Sequence, residues 1–489
     1  MPMLEQLFKH SVVYGLAGVL SRGIAIVMVP IFTRLLAPEE YGALDLLTVF
    51  ATIANYVVAA EITQGVARLY SEASGDGDRQ RIASTSLWFC ALAYGVFIFF
   101  GLIFAAPLAE LLLGSNRWAS IFRVAIVAIA ANGLFYLFQN LLRWQILPRR
   151  YAVASLIYSL VTTLATLYLV VFAGSGVAGV FWGQIIGAVC GIASSWWYSR
   201  QSYGYLFSGQ KLREMLSFSL PLVPSSIAVY LALYVDRIAI NELMTLEAVG
   251  IYGVGARIAS VVALLMMGFQ GALTPLVLQN YGNPSTPAQL ARIFRYFFAC
   301  ALPILVLLAL FSHELVWLFA TPSYYGARSV IPVLGLSTVI AGMYVFAPGL
   351  FIRKKTWIFA MVNTLAAATN LGLNVVLIPI AGIMGASFAT LTTAIAAFAS
   401  FMALSQRLYP VPHDWARIAA ACAISGIIVV ASTQVSGSGA TISIGEILAK
   451  AAVFLLAGAI CAWVLLGRAE IYAILGRLRR DAARSRGWG

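Results

Sequence analysis

The sequence predicts an all-α polytopic membrane protein of about fourteen transmembrane helices, twelve of them forming two pseudo-symmetric six-helix lobes. Three observations predict it. Hydrophobic residues make up 61% of the 489 residues and charged residues 10%, with a mean hydropathy of +0.90, a composition outside the range of soluble globular chains. Apolar runs of roughly 20 residues, each long enough to cross the hydrocarbon layer, follow one another with short connections. They are continuous rather than alternating, which excludes a membrane β-barrel. The third observation is that the second half of the chain repeats the first.

The repeat rests on three anchors. Leu36, Glu39 and Gly42 recur as Met244, Glu247 and Gly250; Gln64-Gly65 recurs as Gln270-Gly271; Gly176-Val177-Ala178-Gly179 recurs as Gly382-Ile383-Met384-Gly385. Their offsets agree to within two residues. Two equivalent bundles facing one cavity are a common build of transporters, whereas enzymes and receptors need no such symmetry.

The expected spans in order are 11–33, 43–66, 83–106, 118–142, 151–173 and 177–198 in the first lobe. Those of the second are 215–240, 248–276, 291–311, 327–352, 356–380 and 382–404, and two additional helices follow at 415–433 and 446–466. The lobes then occupy residues 1–210 and 211–408, the extra pair 409–467, and a basic tail 468–489. Segment 11–33 is too long for a secretion signal, lacks a small-residue cleavage site and runs into a charged loop, so it is expected to be retained. Basic residues mark alternate connections, from Lys9 and the group Arg68, Arg79 and Arg81 to the tail Arg477–Arg486. Twenty-three of the 31 Lys and Arg fall on the side of the N-terminus and four on the other. That asymmetry orients the chain with both termini cytoplasmic.

The same distribution accounts for the net charge of +13. The charge faces anionic headgroups rather than nucleic acid. Cys90, Cys190, Cys300, Cys422 and Cys461 lie in separate apolar segments without metal or disulfide spacing. His10, His313 and His413 fall at segment ends far apart in sequence. No connection is long enough for an extramembrane active site, and no phosphate-binding glycine loop with Lys-Ser/Thr occurs. The expectation is therefore no enzyme, no cofactor and no metal.

Chemistry is expected from the charges left in the hydrocarbon, since placing one there costs roughly 2.5–3.5 kcal/mol on insertion scales. Arg22 lies near the middle of the first segment, Arg257 in the eighth, Arg123 near the outer end of the fourth, and Asp236-Arg237 near the outer end of the seventh. Glu61 sits toward the inner end of the second and Asp45 near its outer end. The arginines outnumber the deep acids, so a shared cavity is net positive and suits an anionic head, because a guanidinium grips phosphate bidentately. Arg22 and Arg257 are the leading candidates; an internal ion pair or a helix-packing contact is the competing reading for both. Asp236 and Arg237 also satisfy each other locally, Glu61 has Arg68 within two turns, and Asp45 and Arg123 read mainly as interface residues. Pro221, Pro224, Pro275, Pro303, Pro332 and Pro348 mark kinks concentrated in the second lobe.

Beyond these readings, the stretch Pro30-Ile-Phe-Thr-Arg34-Leu-Leu-Ala-Pro38-Glu-Glu-Tyr41-Gly42 resembles the opening signature of the polysaccharide-transport, O-antigen flippase family. Asp236-Arg237-Ile238 followed by Gly250-Ile-Tyr252 resembles its second-half counterpart. The resemblance, which covers essentially the whole chain, places it in the multidrug/oligosaccharidyl-lipid/polysaccharide exporter superfamily and implies two lobes in a MATE-like V with two extra helices. It implies movement of an undecaprenyl-diphosphate-linked oligosaccharide, such as an O-antigen or exopolysaccharide repeat unit, from the inner to the outer leaflet of a bacterial inner membrane. Arg22, Arg257, Arg237 and Arg123 are then candidate diphosphate contacts. Gln139, Asn140, Tyr234, Gln270, Asn363 and Asn374 are candidate sugar contacts, and Glu61 and Asp236 candidate ion-coupling carboxylates. Membrane lipids, a polysaccharide polymerase and a chain-length regulator are the implied partners. A peptidoglycan lipid-precursor flippase, a drug/cation antiporter and a membrane polysaccharide polymerase are the alternatives.

Overall fold

A chain this apolar must satisfy its backbone groups internally, and helices do so within each segment. The computed structural model describes residues 27–353, 355–435 and 443–486, and its regular elements are helical. The chain forms two compact units, Met1–Gly253 and Val254–Gly489. The first contains α1 (Val29–Leu35), α2 (Pro38–Val58), α3 (Ile62–Glu72), α4 (Asp76–Ile103), α5 (Ala105–Leu113) and α6 (Ala119–Trp144). It continues with α7 (Pro148–Leu167), α8 (Gly176–Ser199), α9 (Gly209–Ser219) and α10 (Leu222–Leu243), and α11 (Leu246–Ala259) leads into the second unit. Among the described residues, ten helices are long and apolar enough to cross a membrane, or eleven if the pair Leu246–Ala259 and Val262–Gln270, bent by 48°, is one span. The helix Trp357–Leu408 counts once there although its backbone breaks at Gly382. The protein is a multi-pass membrane protein.

The residues of the opening signature each have a structural task. Pro38 takes the first helical position of α2, where its missing N–H is no loss. The Glu40 carboxylate accepts the Ala37 N–H at 2.9 Å, and Glu39 and Glu40 place negative charge on the positive end of the helix. Tyr41 is fully buried. Gly42 meets its own repeat counterpart. A Cβ at Gly42 would stand 2.0 Å from the Leu246 carbonyl oxygen, and one at Gly250 would stand 1.9 Å from the Pro38 carbonyl oxygen. The duplicated glycines thus let α2 and α11 touch backbone to backbone. Gly42→Ala is expected to force the helices apart at a cost of about 1–3 kcal/mol, read as a fall in the thermal midpoint in detergent; an unchanged midpoint would contradict this packing.

A second duplicated anchor also has a backbone cause. Gly176 and Gly382 both hold positive φ, 51° and 58°, the left-handed region glycine enters without a Cβ penalty. Gly176 opens α8, and Gly382 ends one helix and begins the next. Repeat and conformation coincide.

Segment 43–66, expected as one continuous span, is broken. Ala60 and Glu61 adopt φ of 50° and 49°, so α2 stops at Val58 and α3 starts at Ile62. Neither residue is a glycine or a proline, so no breaker announces the turn in sequence. Each non-glycine residue held there costs of order 1–3 kcal/mol.

In the second unit, α12 (Val262–Asn280), α13 (Thr286–Leu310), α14 (Ser312–Phe319), α15 (Ala327–Gly342), α16 (Gly349–Ile352) and α17 (Thr356–Leu408) precede the extra helices α18 (Trp415–Val435) and α19 (Ile444–Arg486). Pro303 and Pro332 lie inside α13 and α15. Val306 and Leu310 of α13 pack with Ala457 of α19. Lys450 bridges Glu314 at 2.5 Å and Arg295 reaches Glu470 at 3.3 Å. The last helix, α19, is therefore fixed by an apolar seam with an ion pair toward each end. His413, expected as an interfacial residue, lies between Phe294 and Trp415, at ring distances of 4.6 and 5.3 Å. Burial pushes its pKa down to about 4, so it is neutral near pH 7.

Candidate functional site in the first unit

The first unit encloses a cavity of about 990 Å³ lined from α2, the α2–α3 break, α3, α4, α6, α7 and α8. This is the upper end of the range for small-molecule sites. Its polar lining follows helical spacing within otherwise apolar segments. Thr48, Thr52 and Asn55 share one face of α2; Asn132 and Gln139 lie two turns apart on α6; Ser155, Ser159 and Thr163 succeed one another on α7.

Hydrogen bonds hold this lining in place. Tyr94 OH donates to Asn55 Oδ1 at 2.7 Å, Tyr158 OH donates to Asn132 Oδ1 at 2.8 Å, and Asn132 Nδ2 donates to Gln184 Oε1 at 3.1 Å. Gln139 Nε2 donates to Ser155 Oγ. Phe135 stacks on Tyr158 with centroids 4.4 Å apart. Close helix approach supports the wall: a Cβ at Gly133 would collide with the Tyr94 hydroxyl, and one at Gly183 or Gly187 with Thr166 or Thr162. Hydroxyls, amides and aromatic faces are the groups that bind sugars, hydrogen-bonding their hydroxyls and covering their C–H faces.

One carboxylate, Glu61, lines the cavity among the described residues. The left-handed break turns it there, and its Oε1 accepts the Ser226 hydroxyl of α10 at 2.6 Å. Arg68, its expected partner, bonds Glu72 at 3.3 Å instead.

A buried ionic cluster lies one turn beyond Thr48 along α2. Arg237 Nε donates to Asp45 Oδ2 at 2.5 Å and its Nη1 to Asp236 Oδ1 at 3.2 Å. Tyr252 OH donates to Asp236 Oδ2. The guanidinium also lies 4.7 Å from the Tyr234 ring. Asp45, Asp236 and Arg237 are 6%, 6% and 8% exposed. Asp45, read from sequence as an interface residue, is thus a buried partner for a residue 192 positions away. Rings at Tyr234, Tyr230 and Tyr56 connect the cluster to the cavity wall, at 4.5 and 6.1 Å.

The remaining candidates scatter. Arg22 lies outside the described residues, Arg123 is exposed on α6, and Arg257 is half-buried on α11 with interactions of its own. Of the six candidate sugar contacts, Gln139 lines the cavity and Tyr234 lies beside Arg237. Asn140 Nδ2 donates to Tyr136 O at 2.8 Å and Asn363 Nδ2 to Phe359 O at 3.0 Å, each within its own helix. Gln270 donates to Gly342 O, and Asn374 to both oxygens of Asn370. Asn55, Asn132, Gln184 and Tyr158 were missed; the polar stripes on α2, α6 and α7 are the signal that points to them.

Comparison with known proteins agrees with this fold. The MatE family matches residues 221–380. The succinoglycan biosynthesis transport protein ExoT of Rhizobium meliloti (strain 1021) is 26% identical over 255 residues, covering 52% of this chain and 50% of that protein. The chain spans about half the length of that curated relative. The lipid II flippase MurJ in an inward closed conformation is similar in structure with a TM-score of 0.70, at 16% identity, over 93% of this chain and 98% of that one. An inward-facing multidrug resistance MATE family transporter of the MOP superfamily gives 0.65 at 16% identity, over 82% and 95%. The family described as polysaccharide biosynthesis protein matches residues 7–280, more than half of the sequence, and the chain belongs to that family.

Proposed function

We propose that this protein is a flippase for an undecaprenyl-diphosphate-linked oligosaccharide, carrying it from the inner to the outer leaflet of a bacterial inner membrane by alternating access. The observation that carries the reading is the cavity: amides, hydroxyls and aromatic rings on six helices offer groups that suit a glycan inside a membrane-embedded unit. Family membership and the succinoglycan transport relative support the substrate class. Arg22 and Arg257 are the proposed diphosphate contacts. Arg237, engaged by two carboxylates, is given a structural role. Both termini are cytoplasmic in this reading, and a polymerase and a chain-length regulator act on the same glycan.

Glu61 is the proposed coupling carboxylate, since it pairs a cavity-facing acid with a strained break in α2–α3. Glu61→Gln keeps an acceptor for Ser226 but removes the charge. Transfer driven by an imposed pH gradient in proteoliposomes is expected to fall by about tenfold or more, while the gradient-independent rate is retained. A variant that responds to the gradient like wild type removes Glu61 from coupling. A wild type that exports small organic cations and moves no glycolipid replaces the reading with the antiporter.

A further inference from the structure

The polar cavity has an apolar counterpart on the other side of the same wall. A groove of about 620 Å³ opens on the outer surface of the first unit, lined by Val58, Phe89, Phe97, Phe100, Phe104 and Leu108 among other apolar residues. Its α4 residues recur at three- and four-residue spacing, so they form one stripe of the helix. Their immediate neighbours, Cys90 and Tyr94, face the cavity instead. The same division recurs on α2, where Val58 faces the groove and Ala59 the cavity. One helix layer, ending at the Ala60–Glu61 break, therefore separates a sugar-binding chemistry from a hydrocarbon-binding one. From Phe89 to Gly101 the α4 stripe rises about 18 Å at 1.5 Å per residue, more than half of the roughly 30 Å hydrocarbon depth.

We infer that this groove holds the isoprenoid chain of the lipid-linked substrate while the cavity holds its glycan; this rests on the flippase reading above. A ligand with a polar head and a long apolar chain can use both faces of such a wall at once. Among lipid tails there is no hydrophobic gain from leaving the bilayer, so a groove retains a chain by close packing. Three phenylalanine rings along the α4 stripe, Phe89, Phe97 and Phe100, with Phe104 at the junction beyond it, give flat faces and edges against which the methyl branches of an isoprenoid pack. A smooth-sided helix would offer no such notches.

The test uses the full-length protein in phosphatidylglycerol vesicles with undecaprenyl phosphate bearing a photoreactive group in its isoprenoid chain. Labelled peptides are identified by mass spectrometry. Label is expected on residues 89–104, reduced about five-fold or more by excess unlabelled undecaprenyl phosphate and unchanged by added phosphatidylglycerol. Val96→Trp, which fills the groove from an exposed position, should lower the labelling to a similar degree, whereas Leu456→Trp on the outside of α19 should not. Label spread over all lipid-facing helices, competition by phospholipid, or indifference to Val96→Trp would overturn the assignment. The two readings separate cleanly. Competed labelling without leaflet transfer keeps the groove and sinks the flippase, and transfer without competed labelling does the reverse.

Discussion

Arg237→Met is expected to destabilise the first unit by about 3–5 kcal/mol, because it removes the cation between two buried carboxylates. Asp45 loses its contact at 2.5 Å and Asp236 its contact at 3.2 Å, and neither gains access to water. The ring contact with Tyr234 disappears as well. Arg237→Lys should recover little, since a compact ammonium cannot fork toward two carboxylates on different helices. Combining Arg237→Met with Asp45→Asn and Asp236→Asn should recover part of the loss, as the cost arises from uncompensated charge rather than from the missing side chain. The thermal midpoint of purified protein in detergent measures all three. A methionine variant that melts with wild type would show that the carboxylates do not need Arg237.

The second large effect is on transport. Asn132 is the hub of the cavity network, accepting from Tyr158 and donating to Gln184. Leucine at this position has similar bulk but makes neither bond, and it replaces a sugar-binding amide with a branched alkyl group. Each hydrogen bond lost to a buried or bound polar partner costs about 1–3 kcal/mol, so transfer of the glycolipid is expected to drop by about ten- to a hundred-fold. The two internal bonds lost with the amide also lower the thermal midpoint, so transfer is compared per folded protein at a temperature well below it.

Much of the fold is legible in the sequence because the membrane imposes a simple rule of continuous apolar runs. Among the described residues the expected segments lie largely on helices, apart from breaks such as Ala60–Glu61 and the bend between Ala259 and Val262, and the duplicated Gly42/Gly250 and Gly176/Gly382 turn out to share backbone requirements. The break at Ala60–Glu61 is hidden because alanine and glutamate are ordinary helix formers, and tertiary contacts override their preference. The cavity is hidden for a different reason. A lone Thr, Ser or Asn in an apolar segment usually satisfies itself on its own helix, as Thr48 does on Leu44 O and Asn55 Nδ2 on Ala51 O. Their convergence becomes visible once three polar stripes are folded together. Charge drew attention to Arg237, but its partner Asp45 lies on another helix and only the fold brings them together.

The most direct test of the account is leaflet transfer of a fluorescent undecaprenyl-diphosphate oligosaccharide in proteoliposomes, comparing wild type with Asn132→Leu at equal incorporation of folded protein and at a temperature well below both thermal midpoints. The account predicts transfer by wild type and its near-complete loss in Asn132→Leu. Full transfer by the variant would contradict the placement of the glycan in the cavity of the first unit, and no transfer by wild type would contradict the flippase reading itself.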